Sequence, residues 1–173
     1  MSKNTESDCF PGSAQEATSV SCVPEFSQDT PRFTEVAPGI HVLVVDDQDA
    51  VRELTRETVG VIFPNAKIHE GADGLHAAQT VDEMARVFRD RYTVVISDQM
   101  MPILTGMDLY ARIRQTPGME QTPFVLTSGY MPDDHKQAVE GASGTDPRFK
   151  FVRKPFVPGE LIHAIEQVTG IKF

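Results

Sequence analysis

The sequence predicts a doubly wound α/β sandwich on a parallel sheet. Five short candidate strands, most of them apolar runs, helical periods between them, and polar residues closing the strands carry that prediction. A strand buried on both faces reads as a continuous apolar run. Parallel neighbours need a long crossover between them, usually a helix.

The first element starts at Ile40. IHVLVV (40–45) is the first buried strand, and Val51, Leu54, Thr58 and Ile62 then recur at helical spacing. Pro64 and Asn65 end that helix, and KIHEG (67–71) is short enough for a second strand. Leu75, Ala78, Val81, Ala85 and Phe88 mark a long second helix, from about Gly74 to Arg89. TVVIS (93–97) is the third strand, and Leu109 and Ile113 lie on the third helix. FVLTS (124–128) comes after Pro123 as the fourth strand. A weaker helix is expected over 133–140, with a generous loop over 141–148. FKFV (149–152) is the fifth strand, and Leu161, Ile165 and Val168 line a last helix.

Residues 1–39 differ in kind. They are rich in Ser, Thr, Pro, Glu and Gln, carry more acids than bases, and hold no lasting apolar period. Such composition buries too little apolar surface to offset the entropy of ordering, so a disordered N-terminal tail is expected there. Residues 40–173 are then one folded domain, large enough for a well-buried core.

A formal net charge of −9 argues against direct nucleic-acid binding, which needs clustered Lys and Arg. No apolar window reaches the roughly 18 residues of a membrane span. The first thirty residues lack the basic start and apolar run of a secretory signal, and a cytoplasmic protein is expected. Cys9 and Cys22 form no CxxC and no Cys/His ligand spacing, so a zinc site is not expected and two reduced thiols are. The five histidines, His41, His69, His76, His135 and His163, share no ligand spacing either.

In a parallel sheet, ligands collect at the C-terminal strand ends. Those ends hold Asp46-Asp47, Asp98, Thr127-Ser128-Gly129 and Lys154-Pro155-Phe156. Crowded carboxylates repel one another and invite a hard dication. Mg²⁺ suits such a site because it takes oxygen ligands and needs only one or two carboxylates besides water and phosphate. A carboxylate can also act as nucleophile and form an aspartyl phosphate. Asp98, the single acid on the third strand, is the best nucleophile candidate, and the Asp46-Asp47 pair the better metal base.

These residues resemble the receiver domains of two-component response regulators, here in a stand-alone form worded like the receivers of hybrid kinases. The resemblance rests on VLVVDDQ (42–48), GADG (71–74), VVISDQMMP (94–102), Gly106, LTSG (126–129) and FVRKPF (151–156). It implies a five-stranded flavodoxin-like (βα)5 sandwich with sheet order 2-1-3-4-5, an order quoted in general for this fold. It further implies Asp98 as phosphoacceptor and Mg²⁺ held by Asp46, Asp47, Asp98 and the Met100 backbone carbonyl. Ser128 is then the switch hydroxyl, Gly129 the neighbour that admits the phosphoryl group, and Lys154 its ion-pair partner. Phe151 falls at the switch-aromatic position, and Lys154-Pro155 is expected to be cis. Met100 and Tyr130 occupy the positions that tune water attack; neither is small and polar or acidic, so a slowly hydrolysed phosphoryl state is expected. Thr105-Gly106 departs from a frequent Asp-Gly.

The function so implied is Mg²⁺-dependent transfer of a phosphoryl group from a phosphohistidine donor to Asp98. A sensor histidine kinase or histidine phosphotransfer protein would supply it, and the face made by the last two helices and last strand would change for a downstream protein partner. The few residues after the last helix are too short for an output module, so protein contacts or phosphate relay are expected, with a homodimer possible and no enzyme activity of the ordinary kind. The alternative is a pseudo-receiver, a phosphorylation-independent binding module. A haloacid-dehalogenase-like phosphatase wants an acid two residues after its nucleophile, where Met100 stands, and a dinucleotide-binding domain wants glycines where Asp-Asp-Gln-Asp ends the first strand.

Overall fold

The structure, a computed structural model, describes residues 39–87 and 92–173, with 134 by its backbone alone. The predicted tail up to residue 38, and Phe88 of the second helix, lie outside the described residues. Strands and helices alternate: β1 (His41–Val45), α1 (Asp49–Ile62), β2 (Lys67–Gly71), α2 (Gly74–Val87), β3 (Thr93–Asp98), α3 (Gly106–Gln115), β4 (Phe124–Ser128), α4 (Asp133–Thr145), β5 (Phe149–Arg153) and α5 (Pro158–Thr169). The sheet is parallel throughout, in the order β2-β1-β3-β4-β5. The expected flavodoxin-like topology is the one observed.

Strand alternation sorts the core into two layers. Leu43, Val45, Val95, Phe124, Leu126 and Phe149 face α2, α3 and α4, meeting Ala77, Val81, Met84, Leu109, Ile113 and Val139. Val42, Val44, Val94, Ile96, Val125 and Val152 face α1 and α5, meeting Val59, Leu161, Ala164, Ile165 and Val168. Each fully buried aliphatic side chain contributes roughly 1.5–3 kcal/mol relative to exposure. The three central strands β1, β3 and β4 are buried at every position, which is why they read as unbroken apolar runs.

Two expectations need correction. The fourth helix does not stop at residue 140; it continues to Thr145, and most of the expected loop is helical. Gly141, Ser143 and Gly144 hid it, being weak helix formers, while Val139 and Ala142 anchor it to the core. The first helix buries Thr55, Thr58 and Val59, whereas Leu54 is 38% exposed. The apolar spacing of Val51 and Leu54 belongs to the lining of a cleft at the strand ends, not to the core.

Two glycines are required by close approach. A Cβ at Gly74 would lie 2.3 Å from the Leu104 carbonyl oxygen, and one at Gly106 would lie 2.4 Å from the Asp98 carbonyl oxygen. Both contacts are with backbone, which cannot give way cheaply. Gly106 therefore brings the start of α3 against the residue that ends β3.

Candidate functional site

The parallel sheet delivers Asp46, Asp98, Ser128 and Lys154 to one edge. Asp98 ends β3, and the register pairs it with Thr127. Asp46 comes directly after β1, its backbone N–H donating to the Gly71 carbonyl at 3.1 Å. Lys154 comes directly after β5, its N–H donating to the Ser128 carbonyl at 2.8 Å. The peptide bond to Pro155 is cis.

Lys154 Nζ donates to Asp46 Oδ2 and to Asp98 Oδ1, each at 2.6 Å. Both carboxylates are 3% exposed. The remaining oxygens are also used: Asp46 Oδ1 accepts from the Gln48 N–H at 3.0 Å, and Asp98 Oδ2 from the Met100 N–H at 2.7 Å. Burial raises the Asp46 carboxyl above its ordinary value; the hydrogen bonds from Lys154 and Gln48 oppose that shift, and the Asp98 charge adds to it. Two buried acids thus share one cation, a charge-rich arrangement that stability alone does not favour.

Beside this triad opens a cleft of about 640 Å³, lined by Asp47, Asp98, Met100, Ser128, Gly129, Tyr130, Lys154 and Pro155 among others. Of the expected site residues, eight therefore meet in one cavity, with Asp46 joined to it through Lys154. Phe151 does not line that cleft. It lies half-buried in a neighbouring groove of about 360 Å³ between α4 and β5, together with Met131, Lys136 and Val139. Ser128 lines both cavities, so it stands at the wall between them. Its hydroxyl donates to the Tyr130 carbonyl. A Cβ at Gly129 would lie 3.6 Å from Lys154 Cβ, an ordinary contact. Met100 is 42% exposed and Tyr130 71%.

The donor atoms suit a hard dication. Asp47, Asp98 and Met100 border one cleft, and each carboxylate oxygen has a second lone pair beyond its hydrogen bond. Among the described residues no group of three His, Cys, Asp or Glu side chains is placed to hold a metal ion by itself. Mg²⁺ does not require one, since it retains several waters.

Sequence reasoning missed several supports. Arg52, on the first turn of α1, donates from Nη1 to the Asp46 carbonyl at 2.8 Å and pairs with Asp49 at 2.6 Å. Val51, Leu54 and Phe156 make the cleft's apolar wall. Thr105 caps α3: its Oγ1 accepts from the Asp108 N–H at 3.1 Å, and the Asp108 carboxylate accepts from the Thr105 N–H at 2.9 Å. Thr105 with Asp108 three residues on was a readable capping signal.

Comparison with known proteins agrees with this fold. The response regulator receiver domain profile matches residues 42–166. The chain belongs to that family. Among curated relatives, it is 27% identical over 123 residues to the cyclic di-GMP phosphodiesterase response regulator RpfG of Xanthomonas campestris, covering 71% of this chain but only 30% of that protein. Among solved structures, chemotaxis protein CheY4 of Vibrio cholerae superposes with TM-score 0.58 at 25% identity, covering 75% of this chain and 98% of that one. The receiver domain of sensor histidine kinase PA1611 from Pseudomonas aeruginosa superposes with TM-score 0.59 at 17% identity, covering 77% and 99%; it was solved with a magnesium ion coordinated in its active site cleft. This chain is thus a receiver domain of two-component signalling. Among its described residues, no helix is long and apolar enough to cross a membrane.

Proposed function

We propose that this receiver is a phosphoryl-accepting switch with Asp98 as acceptor. The observation that carries the reading is the Asp46–Lys154–Asp98 triad, whose Lys154 and Asp98 line an open cleft together with Ser128. An Asp98 carboxylate oxygen attacks the phosphorus of a phosphohistidine on a sensor kinase or phosphotransfer protein. The P–N bond breaks, the imidazole leaves and takes up a proton, and an acyl phosphate remains on Asp98. Lys154 neutralises charge on the phosphoryl oxygens, and the Met100 N–H orients the attacking carboxylate. Asp47, Asp98 and the Met100 carbonyl, with Asp46 behind them, would hold Mg²⁺, which supplies further neutralisation of that charge when bound.

The new dianionic group competes for Lys154 and draws the Ser128 hydroxyl from Tyr130. Because Ser128 also borders the α4–β5 groove, its movement alters the room open to Phe151 and reshapes that face for a protein partner. Met100 and Tyr130 place no acid or small polar group to orient water, so the acyl phosphate is slow to hydrolyse.

Incubation with acetyl phosphate and Mg²⁺, read on a phosphate-affinity gel, tests this. The wild type is expected to shift, while Asp98→Ala and an EDTA-treated sample are not. Once donor is removed, the shifted band should decay faster in Met100→Asn and Tyr130→Glu. A folded wild type that stays unshifted, with a phosphohistidine donor also failing, would leave a phosphorylation-independent binding module.

A further inference from the structure

Gln99 stands next to the acceptor and is completely buried. A buried amide costs free energy unless each of its polar groups finds a partner, and an apolar side chain would fill the same space without that demand. Gln99 is fully engaged. Its backbone N–H donates to the Thr127 carbonyl on β4 at 2.8 Å, and its backbone carbonyl accepts from the Gly106 N–H at 3.1 Å. Its side-chain Oε1 accepts from the Met107 N–H of α3 at 3.0 Å. Its Nε2 lies 3.0 Å from Nδ1 of His135, in the first turn of α4. One residue beside Asp98 therefore holds β4, α3 and α4.

The directions of these bonds are determined. A backbone N–H can only donate, so the atom facing Met107 is the amide oxygen and the atom facing His135 is the amide nitrogen. That nitrogen donates, and Nδ1 of His135 accepts, which places the ring proton on Nε2. The attachment matters because it reaches the first turn of α4 from the residue that follows β3. The N-cap residue of α4 is Pro132, with no side-chain capping bond, and the helix sequence carries Gly141 and Gly144. Its buried apolar anchors, Val139 and Ala142, lie one turn or more further on.

We infer that Gln99 is a positioning residue that couples the state of Asp98 to the first turn of α4 through His135. This rests on the phosphoryl-switch reading above. The Met100 N–H that bonds Asp98 Oδ2 flanks Gln99 on one side, and Gly106, pressed against the Asp98 carbonyl, fixes the other. Redirecting the Asp98 carboxylate moves the peptide plane at Met100, and the Gln99 amide converts that movement into loss of the His135 bond. Holding Oε1 on α3 makes α4 the element that is released.

The experiment uses the full chain as wild type, His135→Ala, which removes the α4 end of the link and leaves Oε1 of Gln99 on α3, and Gln99→Met, a near-isostere that cuts both ends. Amide hydrogen exchange over residues 135–139 is measured before and after acetyl phosphate with Mg²⁺, and modified fractions are read by gel. Wild-type α4 is expected to exchange about tenfold faster once modified, the loss of one hydrogen bond. His135→Ala is expected to start at that faster rate and gain nothing on modification, with its modified fraction equal to wild type. Ring ¹⁵N shifts in the unmodified wild type should report the Nε2–H form of His135. An equal response of α4 to modification in all three proteins, or an Nδ1–H ring in the wild type, would overturn the coupling. A wild-type band that never shifts would sink the switch and the coupling together; that failure shows on the gel, whereas failure of the coupling alone shows in exchange.

Discussion

Helices α4 and α5 flank the same strand, β5, and are held in opposite ways. Helix α5 buries a full stripe of Leu161, Ala164, Ile165, Val168 and Thr169. Its start has Pro158 in the first turn and the Glu160 carboxylate accepting from the Val157 N–H at 3.0 Å, and its end has Gly170 at φ 74°. Helix α4 buries Val139 and Ala142, has no side-chain cap, and is tied at its two ends by polar groups: His135 to Gln99, and Asp146 to Arg114 and Tyr110. Apolar packing is non-directional and hard to switch, whereas a few directed bonds can be broken by a local change in charge. On the switch reading proposed above, this difference makes α4 the side of β5 that would move.

The largest test of this contrast is a pair of truncations. Ile165→Ala is expected to lower global stability by about 2–5 kcal/mol, as for a fully buried aliphatic side chain. Val139→Ala should cost about 1–2 kcal/mol and act chiefly through faster exchange in α4. Urea unfolding with hydrogen exchange reads both, and a Val139→Ala cost matching that of Ile165→Ala would break the comparison.

Next in size is the C-terminal tie. The Asp146 carboxylate accepts from Tyr110 Oη at 2.8 Å, from Arg114 Nε at 2.8 Å and from the Arg148 N–H at 2.8 Å. Burial acts to raise its carboxyl, but these hydrogen bonds outweigh burial and hold it below the ordinary 3.8. Its stabilisation is therefore present above about pH 3.8 and lost as pH falls through the lower folded value. Asp146→Asn should cost about 1–3 kcal/mol at neutral pH, and its Tm should converge on that of wild type in acid. A gap that persists at low pH would remove the charge from the account.

The smallest effect sharpens the contrast from the other side. Nothing lies within 4 Å of a Cβ built at Gly141 or Gly144. Gly141→Ala and Gly144→Ala should each stabilise by about 0.5–1 kcal/mol, visible as a higher Tm and slower exchange confined to α4. Unchanged exchange there would mean that its backbone entropy does not set its looseness.

The strand-end edge shows the cost of charge in another form. Burial raises Asp46 above its ordinary carboxyl value, so its ionised form weakens the fold at neutral pH. That contribution to stability is full below the ordinary value and is lost as pH rises through the folded one. The site gathers charged groups that the core would exclude.

Much of this was legible in the chain itself. The apolar runs of β1, β3 and β4 were legible because those strands are buried on both faces, and hydrophobic pattern reports such burial directly, whereas β2 was legible only from its length between turn residues. Asp98, Asp46, Ser128 and Lys154 were legible as a site because a parallel sheet brings every strand end to one edge. Tertiary structure alone decided the rest. Val51 and Leu54 carried a helical period yet line the cleft, since period shows a face but not what that face meets. The continuation of α4 through its glycines depended on Val139 and Ala142 finding the core. Gln99 and His135 stand 36 residues apart, and no local pattern links them, because a hydrogen bond between distant residues exists only once packing has set both donor and acceptor in place.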